Sequence, residues 1–121
     1  MGAEGFEFPC TQEGETMFSL RWRITDSDGA EVSWVSGTIQ IFDVTPGEGS
    51  GAALTGFTSP VAATVAGDDS EYIEWWPVWG SGTGLLPALS RNARYLVRFS
   101  GTDAAGKVAH SPLVPWMVEA T

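Results

Sequence analysis

Phe18-Ser19-Leu20-Arg21-Trp22-Arg23-Ile24 alternates apolar and polar side chains without a break. A strand points successive Cβ atoms to opposite faces, so the period of two places four apolar residues on one side and three polar ones on the other. The segment is expected to be a β-strand over a core, with Phe18, Leu20, Trp22 and Ile24 turned inward. Thr25-Asp26-Ser27-Asp28-Gly29 follows. An Asp side chain bonds backbone amides two residues on and Gly accepts positive φ, so this is expected to be a turn.

The same alternation recurs outward from this point. Residues 30–35 are expected to return antiparallel. Residues 37–44 set Ile39 and Ile41 against Thr38, Gln40 and Phe42. Residues 60–66 form a weaker strand around Val61 and Val65. Residues 72–79 are aromatic, with Ile73 and Trp75 opposed to Tyr72, Glu74 and Trp76, and Pro77 moves their end toward a sheet edge. Residues 93–100 oppose Tyr95, Val97 and Phe99 to Arg94, Leu96 and Arg98. Residues 108–120 are interrupted by Pro112 and Pro115 and keep Val114, Trp116 and Val118 on one side. Turns are expected at Gly67-Asp68-Asp69-Ser70 and Asp103-Ala104-Ala105-Gly106. Residues 45–57 and 80–92 read as long loops, the second with a short helix over 87–91. Gly or Pro falls in most windows long enough for three helical turns, so the helix template fails elsewhere. About seven short strands separated by turn signals predict an all-β, antiparallel β-sandwich over residues 16–121. Residues 1–15 lack periodicity and read as an extended N-terminal arm.

Composition narrows the function. The 121 residues have a net charge of −9, with 43% apolar and 17% charged residues. That length is one domain. The negative charge argues against nucleic acid, which calls for a basic face, and against anionic lipid. One Cys rules out an internal disulfide and a multi-Cys zinc site, and one His rules out a multi-His metal site. No cofactor or metal is expected. Residues 1–15 carry four Glu and no Lys or Arg, unlike an export signal, and no apolar run is long enough to span a membrane. The expectation is synthesis in the cytoplasm.

No catalytic set emerges. Asp26-Ser27-Asp28-Gly29 lacks the later acid of a calcium loop. His110 and Ser111 are neighbours on a strand and face opposite ways, so they do not pair as base and nucleophile. Gly80-Ser81-Gly82-Thr83-Gly84 has no Lys and reads as a flexible connector, not a phosphate loop. Cys10 has no partner. The six Trp are the excess. Trp22 fits the core. One of Trp75 and Trp76 must face outward on a regular strand, and Trp79 flanks a glycine loop. Exposed aromatics mark contact surfaces, either protein interfaces or platforms for sugar rings. Against both stands the reading that most of the six are core residues covered by the long loops.

Four segments together carry a resemblance: Arg23-Ile24-Thr25-Asp26-Ser27-Asp28-Gly29, Gly37-Thr38-Ile39-Gln40-Ile41-Phe42, Ala93-Arg94-Tyr95-Leu96-Val97-Arg98-Phe99, and Asp103-Ala104-Ala105-Gly106-Lys107 with a closing stretch over 111–119. Over residues 16–120 the chain resembles small immunoglobulin-like β-sandwich structural proteins of tailed bacteriophages. It is similar to the N-terminal domain of baseplate upper proteins and to stand-alone capsid decoration modules. The resemblance implies a non-enzymatic virion component, with a decoration (cement) protein on the head exterior first and a tail, neck or baseplate component second. Baseplate proteins continue into helices, and a chain ending at Thr121 favours the stand-alone role. The partners implied are the major capsid protein or other virion proteins, and by analogy further copies of the chain as a trimer. A carbohydrate-binding module, with a glycan on exposed Trp, is the reading from another class. The interface candidates are Phe6 and Phe8 of the arm, which would add as an edge strand on a neighbour, and Trp75, Trp76, Trp79 and Trp116.

Overall fold

The computed structural model describes residues 4–26, 28–45, 51–67 and 71–121. They form β1 (Glu4–Glu7), β2 (Thr11–Gln12), β3 (Leu20–Ile24), β4 (Trp34–Asp43), β5 (Val61–Val65), β6 (Ile73–Trp75), β7 (Ala93–Asp103), β8 (Val108–His110) and β9 (Val114–Glu119), with one 3-10 turn at Thr55–Phe57. The protein is all-β, as its alternation predicts. Its strands run β1-β3-β6-β5-β4-β7-β9-β2 in one continuous sheet, with β8 added on β7. The sheet is mixed, because β2 lies parallel to β9.

The centre follows from side-chain periodicity. In β7, Ala93, Tyr95, Val97 and Phe99 are buried and Arg94 and Arg98 are exposed. The register Ile41↔Val97 and Ile39↔Phe99 stacks the apolar face of β4 beside that of β7. Further along, Gly37 pairs with Gly101. A Cβ on Gly37 would stand 2.5 Å from the Ile73 side chain, and one on Gly101 would stand 2.5 Å from the Trp34 ring. The two glycines therefore form a socket that admits Trp34 and Ile73.

β5 makes the sheet curl. Its first half pairs with β4 through Val61, Ala62 and Ala63, and its second half pairs with β6 through Thr64 and Val65. β3 and β6 are thereby carried over β4 and β7. Trp22 of β3 stacks on Trp34 at 5.0 Å and lies 6.3 Å from Phe99 at an interplanar angle of 11°. Trp75 of β6 meets Trp116 of β9 edge-on at 6.3 Å. Full burial of such rings is the main apolar contribution to folding, at about 25 cal/mol per Å² removed from water.

Several expectations are corrected. The strands among the described residues number nine, against about seven. The opening strand starts at Leu20, and Phe18 is 49% exposed. Residues 30–35 give one bridge, Glu31 to Thr25, before β4 begins at Trp34 with a bulge before Ser36. The aromatic strand stops at Trp75. Residues 87–91 are not helical. Pro112 separates β8 from β9. Two turns match. Asp26 Oδ1 accepts from the amides of Asp28 and Ala30, and Asp103 Oδ1 accepts from those of Ala105 and Lys107. Gly29 and Gly106 take positive φ at 83° and 81°. Ser27, Pro46, Gly47 and Gly49, and Asp68-Asp69-Ser70 of the expected turn at 67–70, lie outside the described residues.

The first strands change the meaning of the arm. β1 adds antiparallel to β3, with Phe6 opposite Trp22. Phe8 packs edge-on to Phe6 at 5.6 Å and against Phe99 at 5.9 Å. Thr11 is buried at 1% exposure, and the Trp116 indole N–H donates to the Pro9 carbonyl at 3.0 Å and to Thr11 Oγ1 at 3.3 Å. Residues 4–12 are therefore ordered on their own domain, and they supply both edge strands of the sheet order. Their partners, β3 and β9, are distant in sequence, which is why local pattern does not reveal them.

Candidate functional site

The six aromatic candidates separate by position. Trp75 and Trp116 were expected at an interface, and the structure corrects this: they are 6% and 1% exposed and sit in the core. Both occupy inward positions of strands, where alternation leaves no choice. Phe6 and Phe8 are half-buried against that core and so serve this chain's own packing. Trp76 and Trp79 remain, and each belongs to a different surface.

Trp76 is 47% exposed because it is the first residue beyond β6, one step out of phase with Trp75. It lines a shallow groove of about 580 Å³ with Phe8, Met17, Phe18 and Arg21. Met17 and Phe18 are 78% and 49% exposed. Three large apolar side chains thus gather at one place on a chain of net charge −9. Beside them Arg21 lies 3.5 Å from Glu74 and 4.3 Å from the Tyr72 ring centre, while Arg23 bonds Glu31 at 2.5 Å. Desolvation and the hydrogen bond to Glu7 push the Tyr72 phenol up from its ordinary value. These polar groups hold one another, and Arg21 and Glu7 among them line the same groove as the apolar strip.

Trp79 lines a second cavity of about 750 Å³, together with Glu13, Leu54, Thr55, Ser81 and Pro87. The sequence predicts a flexible connector here, but the described backbone is tied. Gly84 N–H donates to Gly56 O at 2.8 Å, and Leu86 exchanges bonds with Val78 and Gly80 at 2.8 and 2.9 Å. Gly80 and Gly82 have φ of 149° and 136°, a conformation side chains rarely adopt. The Trp79 indole N–H donates to Glu15 O at 3.0 Å, which fixes the ring. The Glu13 carboxylate accepts from Leu89 N–H and from Thr121 Oγ1. A fixed ring, a carboxylate and two hydroxyls in a glycine-walled cleft offer stacking and hydrogen bonds together. Glu13 and Leu54 give no signal in the sequence, because only the fold brings them to Trp79.

Ser111 is buried and locked, donating to Pro112 O at 2.8 Å and accepting from Phe99 N–H at 2.9 Å. His110 faces the other way, as alternation predicts, and its Nδ1 lies 2.6 Å from Ser100 Oγ across the β7–β8 ladder. Among the described residues no His, Cys, Asp and Glu cluster suits a metal ion, and no helix is long and apolar enough to cross a membrane. The Cys10 thiol stands 3.6 Å from Glu119, and its pKa is raised first by desolvation and then by the Glu119 charge. A scan against family models and a search of curated proteins both find no match for this chain.

Proposed function

We propose that this chain is a non-catalytic docking module of a tailed-phage virion, in the first place a capsid decoration protein on the head exterior. On this reading the curled sheet is an immunoglobulin-like sandwich. Its work is to bury surface: a subunit that bridges neighbouring capsid proteins favours the assembled shell by mass action. The observation that supports the reading best is the strip Met17, Phe18 and Trp76, exposed together beside a shallow groove. Aromatic anchors of this kind dominate binding energy at protein interfaces. The phage context comes from the sequence resemblance. The chain's negative charge calls for a capsid face with an apolar centre and a basic rim.

Cosedimentation with purified phage heads assembled without the chain tests this. Wild type should saturate the heads, and Phe18→Ser with Trp76→Ser should lower affinity by roughly thirtyfold or more. Unchanged occupancy by the double variant removes the strip from the account. Binding to tails in place of heads moves the protein to a neck, tail or baseplate role.

The Trp79 cleft supports a second reading, a carbohydrate-binding module. Titration with an oligosaccharide panel should then shift Trp fluorescence saturably in wild type and fail in Trp79→Ala. Silence across the panel ends this reading.

A further inference from the structure

A third surface, on the outer face of β4, β7 and β8, carries chemistry that neither docking reading uses. Register sets Thr38, Ser100 and His110 in one row across the three strands, and Gln40 and Arg98 in the adjacent row. All five line one small depression of about 100 Å³, closed at one side by Pro60. With strands about 4.8 Å apart, the five groups lie within a patch roughly 10 Å by 7 Å.

The character of the patch is unusual for this chain. There are 15 acidic residues against six Lys and Arg and one His. Yet the depression is lined by an Arg and the one His, with no carboxylate. Arg21 and Arg23 are engaged with Glu74 and Glu31, whereas Arg98 has no carboxylate partner among the described residues. Gln40 gives its amide N–H groups to the carbonyls of Phe57 and Thr58, so those donors are already spent on the chain itself. His110 Nδ1 and Ser100 Oγ are 2.6 Å apart. With the imidazole N–H donating to Ser100 Oγ, the serine hydroxyl proton is left to point into the depression. Arg98, Ser100 and Thr38 then bring a guanidinium fork and two hydroxyl groups to the same depression, beside the imidazole. That donor set matches an oxyanion, and the fork suits bidentate contact.

We infer that Arg98, Ser100, Thr38 and His110 form a binding site for a phosphate-type oxyanion, as the free ion or as an ester carried by a ligand. Three strands contribute, so the donors are preorganised by the ladder and do not need to be gathered on binding.

The test is NMR of the full chain titrated with inorganic phosphate at constant ionic strength, with methyl phosphate and acetate as further arms. Phosphate should move the His110 ring and the Thr38 and Ser100 amides saturably. Arg98→Ala should weaken this by roughly tenfold or more, the worth of one charge-assisted bond, while Arg94→Ala on the same strand should leave it unchanged. Arg98 and Arg94 are both exposed, and retained spectra elsewhere will show that the variants fold. Methyl phosphate binding more tightly than phosphate identifies an ester carried by a ligand as the occupant, equal binding shows that the site takes either form, and phosphate alone identifies the free ion. The inference is overturned by unsaturable shifts, by equal response to acetate, or by equal losses in the two Arg variants.

Discussion

Four tryptophans and two tryptophans behave as different residues in this protein. Trp22, Trp34, Trp75 and Trp116 are 6% exposed or less and touch one another or Phe99. Trp76 and Trp79 stand past the end of β6 and reach the surface. Trp75 and Trp76 are adjacent in sequence, so hydrophobicity does not separate them. What separates them is phase: one is the last inward residue of a strand and the other is the first residue after it. Size and chemistry make a tryptophan useful, and strand register decides whether it stabilises or recognises.

The strongest way to break this division is to remove an inner ring. Trp22→Ala should cost about 3–5 kcal/mol in denaturant unfolding, since it leaves a cavity against Trp34 and Phe99. A loss under about 1 kcal/mol would mean the core does not rest on these stacks. A smaller insult acts through the socket. Gly101→Ala places a methyl 2.5 Å from the Trp34 ring and 2.6 Å from Ile73, and should cost about 2–3 kcal/mol with a changed near-ultraviolet signal.

Charge tests the same cluster without changing its size. Tyr95 lies 5.9 Å from Trp116, and burial, then Asp43 and Glu13, push its phenol up to about 12. The unfolded phenol ionises near 10, so between pH 10 and about 12 the unfolded chain loses the proton first. Stability should be undiminished by this group below pH 10 and fall by on the order of 2 kcal/mol across that window. Tyr95→Phe should flatten that part of the curve. The smallest effect belongs to the outer class. Trp76→Ser should change stability by no more than about 0.5 kcal/mol, while docking suffers. A large destabilisation would place Trp76 among the inner rings.

Much of this was legible in residues 93–99 and 37–42, where alternation alone assigns Tyr95, Val97, Phe99, Ile39 and Ile41 to the interior. The two Asp-to-Gly turns were legible for the same local reason. Pairing was not. Nothing near Thr11 announces a parallel partner at Val118, and nothing near His110 announces Ser100, because register between strands is fixed by the whole sheet. The burial of Trp116 could be inferred from its phase with Val118, but its acceptors on Pro9 and Thr11 lie more than 100 positions away. Phe18 failed differently. It keeps the alternation of the strand it precedes, yet pairing between β3 and β6 stops at Leu20, so the pattern outruns the ladder.

The two borders of the sheet, β1 and β2, are joined by only the three residues Phe8, Pro9 and Cys10. A border strand is a template for unwanted pairing with other chains, and proteins guard it. Here a single short stretch works as the hem on both sides of the cloth. Unpicking it bares the margins of β3 and β9 in one event and takes away the acceptors of the Trp116 indole. Protease nicking or truncation within the first dozen residues should therefore be read out as clumping before any loss of partner binding.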